Sequence, residues 1–350
     1  MFQGLETASS YFLRPLEPRI GLRVSAASPA DISRPFCYYR HMRTLVYSCI
    51  AFLVGMIISV MVILNTCFGE ASTMGASMLA NQMTGIVLLT VMMRLIPRKA
   101  GINAPMRGEH APWGLWFGGI IGLTILIINF VTIVRIGTTM AMASAVFGQS
   151  VMSLVIDATG FLGMPKRRME RREILPLAVS ATGIVIMTAA GGSFAISWML
   201  LSMLAGVLTM AQMVYNSLFA SYKGALFSAR NNVVSGVAAS IVWFAITDFT
   251  PTFTALTRFT SYPLWLSLGG GTLAVVVVVS MNIIIPRIPS IYSALLLSSG
   301  QIIMSVILDA ALYELFSPYL LTGALLIIVG MVINLWQDLG KNRKSGIPRT

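Results

Sequence analysis

The chain has 350 residues, 56% of them hydrophobic and only 10% charged, with 24 Lys and Arg against 12 Asp and Glu. Soluble domains carry about 25% charged residues. A water-soluble monomer of mean hydropathy +0.82 would expose large apolar patches, which such proteins rarely do. Three Cys and sparse charge also exclude a disulfide scaffold and a disordered chain. What remains is an all-α polytopic membrane protein. β-Barrel strands are half as long as the apolar runs here and alternate, as these do not.

In chain order, residues 1–41 mix Pro, Arg and Ser without an apolar run. They read as a cytoplasmic extension, either disordered or upstream of a true start at Met42, and not as a signal peptide. A spanning helix needs about 20 apolar residues, and ten such runs follow: 44–68, 73–96, 112–134, 138–162, 173–191, 195–220, 227–247, 262–285, 289–313 and 318–337. Punctuation separates them: Arg98-Lys99-Ala100-Gly101, Met164-Pro165-Lys166, Ala190-Gly191-Gly192, Thr250-Pro251 and Ser317-Pro318. Residues 341–350 form a basic tail. With the N-terminus in the cytoplasm, 22 Lys and Arg fall on the cytoplasmic side and only Arg135 and Arg258 on the other. The positive-inside bias therefore expects both termini in the cytoplasm. Lys166-Arg167-Arg168 with Arg171-Arg172 is chiefly an orientation signal, dense enough to attract anionic lipid.

The second half repeats the first. An offset of 152 places Arg135-Ile136 on Arg287-Ile288, Gly148-Gln149 on Gly300-Gln301, Met152-Ser153 on Met304-Ser305 and Asp157 on Asp309. An offset of 151 places Gly55, Asn65, Phe68, Ser77, Asn81 and Gly85 on Gly206, Asn216, Phe219, Ser228, Asn232 and Gly236. The repeats are 42–192 and 193–340, five spans each. An odd number makes the second copy enter from the opposite side, the architecture of secondary transporters with a site near the midplane.

The run Gly148-Gln149-Ser150-Val151-Met152-Ser153-Leu154-Val155-Ile156-Asp157-Ala158-Thr159-Gly160, followed by the basic loop, resembles the signature of YdcZ-like members of the drug/metabolite transporter superfamily. The Gly55…Asn65 and Gly206…Asn216 pairs resemble the same family's first-helix pattern. The resemblance covers 42–340 as a fused two-copy form, and the second copy departs from it at Leu312, where the first has Gly160. It implies an inner-membrane transporter, often an exporter.

Gln149 and Gln301 fall midway along their spans, where an unmet amide costs several kcal/mol. They are candidates either for substrate binding or for joining helices. Asn81 and Asn232 are further binding candidates, and Asn129 and Asn282 are similar. Asp157 and Asp309 fall about 12 Å further along their helices, near the membrane edges. They are candidates for gating or ion coupling, or for a structural cap. Asn65 and Asn216 are read as ending the first and sixth spans, capping carbonyls or lining a cavity mouth. The absence of charge at mid-depth favours neutral or zwitterionic substrates, or cations held on aromatic faces such as Trp116, Tyr215 and Trp265.

No cluster of His, Cys and acids at ligand spacing, no nucleophile elbow and no P-loop occurs, so no catalytic residue, metal or cofactor is expected. The expected partners are a small-molecule substrate and membrane lipid, with a homodimer left open and nucleic acid not expected. The expected function is secondary transport, as an exporter, of a small organic metabolite or drug-like molecule by alternating access. The alternative is a channel or a lipid/amphiphile translocase.

Overall fold

The structure is a computed structural model and describes residues 29–96, 105, 110–164, 166, 174–285, 290–312 and 318–344. Much of the basic sequence counted for orientation, including 167–172, lies outside these residues. The described residues are helical and contain no strand: α1 Pro29–Ala71, α2 Met74–Leu95, α3 Gly118–Ile136, α4 Thr138–Thr159, α5 Ile174–Lys223, α6 Ala225–Thr247, α7 Phe249–Thr257, α8 Leu264–Ile284, α9 Ser290–Leu312 and α10 Pro318–Lys344. Exposed apolar side chains such as Leu53, Val87, Val242 and Ile246 supply the lipid-facing surface that composition demanded.

Local chemistry sets the boundaries. Thr73 begins α2, its hydroxyl accepting from the Ala76 N–H at 3.1 Å, as an N-cap should. A single glycine at positive φ turns the chain between α3 and α4 (Gly137, φ 76°) and between α5 and α6 (Gly224, φ 92°); a side chain would be strained at either.

Six helical stretches are long and apolar enough to cross a membrane, seven if α6 and α7 count as one bent unit, and three shorter apolar stretches accompany them. Each expected span coincides with one of these stretches, of which six or seven are long enough on their own among the described residues. The expected turn at Ala190-Gly191-Gly192 is not a separate loop: helical backbone extends from Ile174 to Lys223 as α5, which carries two apolar stretches, Leu175–Met187 and Ala195–Lys223. Gly lowers helix stability by only about 1 kcal/mol per residue, so Gly191 and Gly192 keep helical backbone, while a Gly/Ser cluster such as Gly191-Gly192-Ser193 is where a helical stretch bends sharply. Toward the N-terminus, α1 begins at Pro29, so residues 29–41 are helical where an unstructured extension was expected. Pro in a first helical turn loses no hydrogen bond. The segment around Thr250-Pro251, expected as a loop, is the short helix α7, turned 118° from α6; here too the Pro sits in the first turn.

The two repeats pack reciprocally. A methyl on Gly55 would overlap the Leu297 carbonyl, and one on Gly206 the Ala145 carbonyl; Gly148 sits against Met203 and Gly300 against Phe52 in the same way. Gly118 abuts the Asn216 amide oxygen and Gly270 that of Asn65. Ser77 donates to the Asn65 carbonyl at 2.6 Å, and Ser228 to that of Asn216 at 2.7 Å. Every pair recurs 151 or 152 residues later, which is what a pseudo-twofold axis requires. Equivalent helices also meet antiparallel. In α4 and α9, Thr139 pairs with Asp309 and Gln149 with Gln301. In α2 and α6, Gly85 meets Val233 and Gly236 meets Gln82, while Gly183 of α5 meets Gly323 of α10 and Ser180 meets Gly330. The repeats are therefore inverted. Small residues at the crossings allow the close approach that drives helix association in lipid.

Candidate functional site

At the axis the helices part around a cavity of about 180 Å³. Its walls come from both repeats. The apolar side includes Ile58, Val62, Val277 and Met281, whereas nine carboxamides supply most of the polarity: Asn81, Gln82, Asn129, Gln149, Gln212, Asn216, Asn232, Asn282 and Gln301. Thr209 adds a hydroxyl, and among the described residues no ionisable side chain lines the cavity.

The central pair is Gln149 and Gln301, 2% and 1% exposed. Gln149 Nε2 donates to Gln301 Oε1 at 3.2 Å. Gln149 Oε1 and Gln301 Nε2 have no partner among the described residues. Gly148 and Gly300, one residue earlier, let α4 and α9 sink against α5 and α1, which carries both amides to the axis. The Ser59 hydroxyl fixes the backbone there, donating to the Gln301 carbonyl at 2.8 Å.

A second group of amides is tied to the walls. Gln212 Nε2 donates to the Gly118 carbonyl at 2.9 Å and to Asn232 Oδ1 at 3.1 Å, joining α5, α3 and α6. The Ser240 hydroxyl donates to Gln82 Oε1 at 3.2 Å, and Asn282 Nδ2 to the Ala225 carbonyl at 3.1 Å.

The structure thus brings Gln149, Gln301, Asn81, Asn232 and Asn216 to one cavity and leaves Asn65, Asp157 and Asp309 outside its lining. Asn65 and Asn216 are not helix ends. α1 continues past Gly69 to Ala71, since a single glycine need not stop a helix, and α5 continues to Lys223, just before Gly224. Asp309 is 4% exposed, and its Oδ2 accepts from the Thr139 N–H at 2.6 Å. It thereby caps the N-terminal end of α4, where free N–H groups and the helix dipole favour a carboxylate. The bond crosses from the second repeat to the first. Asp157 lies two residues before the end of α4. Trp116, Tyr215 and Trp265 do not line the cavity: Trp116 packs edge-on against Phe219 and Phe227, the Tyr215 hydroxyl donates to the Gly114 carbonyl, and Trp265 is exposed. A cation held on those rings has no support from this geometry. Gln82 and Gln212 were not singled out by the repeat, because their equivalents are Val233 and Met61.

Inverted helical repeats enclosing a largely apolar cavity edged with amides are the architecture of polytopic membrane transporters. The chain belongs to the family described as "Putative inner membrane exporter, YdcZ", which matches it twice, over residues 46–186 and 197–333. It is accordingly a multi-pass inner membrane protein of an exporter family and not an enzyme. A solved crystal structure, titled only as that of a protein, shares the fold at 15% identity and a TM-score of 0.57, covering 83% of this chain and 96% of that one. No curated protein matches the chain.

Proposed function

We propose that the chain is a secondary transporter that exports a small, uncharged polar organic molecule by alternating access of the midplane cavity to the two membrane faces. The observation that carries this reading is the meeting of Gln149 and Gln301 at the pseudo-twofold axis, inside a cavity lined by amides from both repeats. An amide-rich site without ionisable groups gives a permanently charged solute no counter-ion for its lost hydration, and its apolar wall suits an organic body.

The distribution of Lys and Arg supports an orientation with both termini in the cytoplasm. The packing supports five crossings per repeat. α10 follows α9 after only residues 313–317, too short a link to recross a core of about 30 Å, so it runs opposite to α9. Leu175–Met187 is antiparallel to α10, and Ala195–Lys223 is parallel to α4, since Ser202 pairs with Ala141 and Gly206 with Ala145. The two halves of α5 then cross in opposite senses.

The test is a thermal-stability screen of the purified protein against metabolites, followed by counterflow of each stabilising compound in proteoliposomes. Saturable counterflow, weakened in Gln149→Leu and Gln301→Leu protein that remains folded, is the expected result. A folded, correctly inserted protein that exchanges none of the stabilising compounds would overturn the reading.

A further inference from the structure

The bond between Gln149 and Gln301 uses only half of what the two amides offer. Two carboxamides can close a ring of two hydrogen bonds, which would satisfy both. Here a single bond forms, and one oxygen, Gln149 Oε1, and one nitrogen, Gln301 Nε2, remain unpartnered among side chains that are 2% and 1% exposed. Exchanging O and N in both amides reverses the bond and still leaves one acceptor and one donor, so the pattern does not depend on that assignment. Elsewhere in the cavity Gln212, Gln82 and Asn282 already hold protein partners.

We infer that the solute bound at this axis presents a hydrogen-bond donor and an acceptor side by side, as a primary amide, a lactam or a urea-type edge does, to Gln149 Oε1 and Gln301 Nε2. The assignment rests on the cavity being the transport site. Such an edge completes a three-membered ring of amides: Gln149 donates to Gln301, Gln301 to the solute carbonyl, and the solute N–H to Gln149. A carboxylate offers only acceptors and leaves Gln149 Oε1 unmet. An ammonium offers only donors and leaves Gln301 Nε2 unmet. Each also brings a charge that no lining residue balances. Because both free positions come from pseudo-symmetric residues on opposite repeats, the solute bridges the two moving halves.

The experiment measures binding from thermal unfolding of the full chain in detergent, using matched probes. These are 2-piperidone, its N-methyl derivative and its 4-methyl isomer, together with uracil and 1,3-dimethyluracil; potassium acetate and methylammonium chloride serve as ionic controls. At least one N–H compound is expected to bind about tenfold or more tightly than its N-methylated partner, the size expected when buried polar groups lose their partners. The 4-methyl isomer, equal in bulk to the N-methyl compound, should keep the affinity of the parent. The advantage should disappear in Gln149→Leu and Gln301→Leu, or in the Met variants at the same positions if the Leu forms do not fold. Equal binding of N-methylated and parent compounds, survival of the preference in both variants, or failure of every N–H probe to bind would overturn the inference. Counterflow of some other metabolite alongside that failure would leave the transport reading standing, whereas counterflow of none would remove both.

Discussion

Gln149 hydrogen-bonds its own symmetry counterpart: its Nε2 lies 3.2 Å from Oε1 of Gln301, 152 residues along the chain. Identical residues that meet lie on a symmetry axis, so this bond marks the line about which one repeat becomes the other. An amide pair is suited to that place. Either member can donate, and neither carries a charge that would have to be matched as the halves move.

The glycines that bring these helices together should be intolerant of a methyl group. In Gly148→Ala and Gly300→Ala the new Cβ would overlap the backbone carbonyls of Met203 and Phe52, which cannot move away as a side-chain tip can. Each substitution is expected to destabilise the protein by about 1–3 kcal/mol, measured as a fall in the thermal midpoint in detergent. Gly114→Ala, where a Cβ meets nothing within 4 Å, should leave the midpoint unchanged.

Asp309 caps α4 from the other repeat, and its loss should be read in stability. Asp309→Ala is expected to cost about 1–2 kcal/mol, as removal of a side-chain cap does. Asp309→Asn, which keeps an acceptor, should recover part of that. If Asp309 also couples an ion gradient to transport, the Asn variant will lose gradient-driven accumulation yet keep counterflow.

Gln212 holds three helices together through the Gly118 carbonyl and Asn232. Gln212→Leu removes both bonds and leaves two partly buried acceptors unmet, a loss of about 1–2 kcal/mol. Asn232→Ala in the Gln212→Leu background should add less than it does alone, because the shared bond is already gone. Strict additivity in this double-mutant cycle would contradict the pairing.

The sequence made the membrane architecture legible because a bilayer dictates the length and polarity of what crosses it, and each apolar run became a helical stretch. The repeat offsets located Gln149, Gln301, Asn81 and Asn232, all of which reach the cavity. The same filter concealed Gln82 and Gln212, whose counterparts Val233 and Met61 are apolar: a site for a solute without twofold symmetry need not repeat its polar groups. The ends of the first and sixth spans are set less sharply by the sequence: α1 runs on to Ala71 and α5 to Lys223, which leaves Asn65 and Asn216 inside their helices. The capping role of Asp309 was open to sequence reasoning only as one alternative, since nothing in the chain places residue 309 beside residue 139.

Orientation has its own check. A reporter active only in the periplasm, fused after Thr350, should give no signal, and a cytoplasmic reporter at the same position should be active. The reverse result would contradict the assignment drawn from the basic residues.

Access to the cavity from both faces is the claim on which the transport reading stands, and Met142 tests it. This side chain lines the cavity and is 3% exposed. With Cys37, Cys49 and Cys67 replaced by Ser, Met142→Cys protein in sealed vesicles is treated with a membrane-impermeant thiol reagent from one side or the other. Alternating access predicts labelling from each side, slowed by a bound solute in both cases. Labelling from one face only, or from neither, would contradict it.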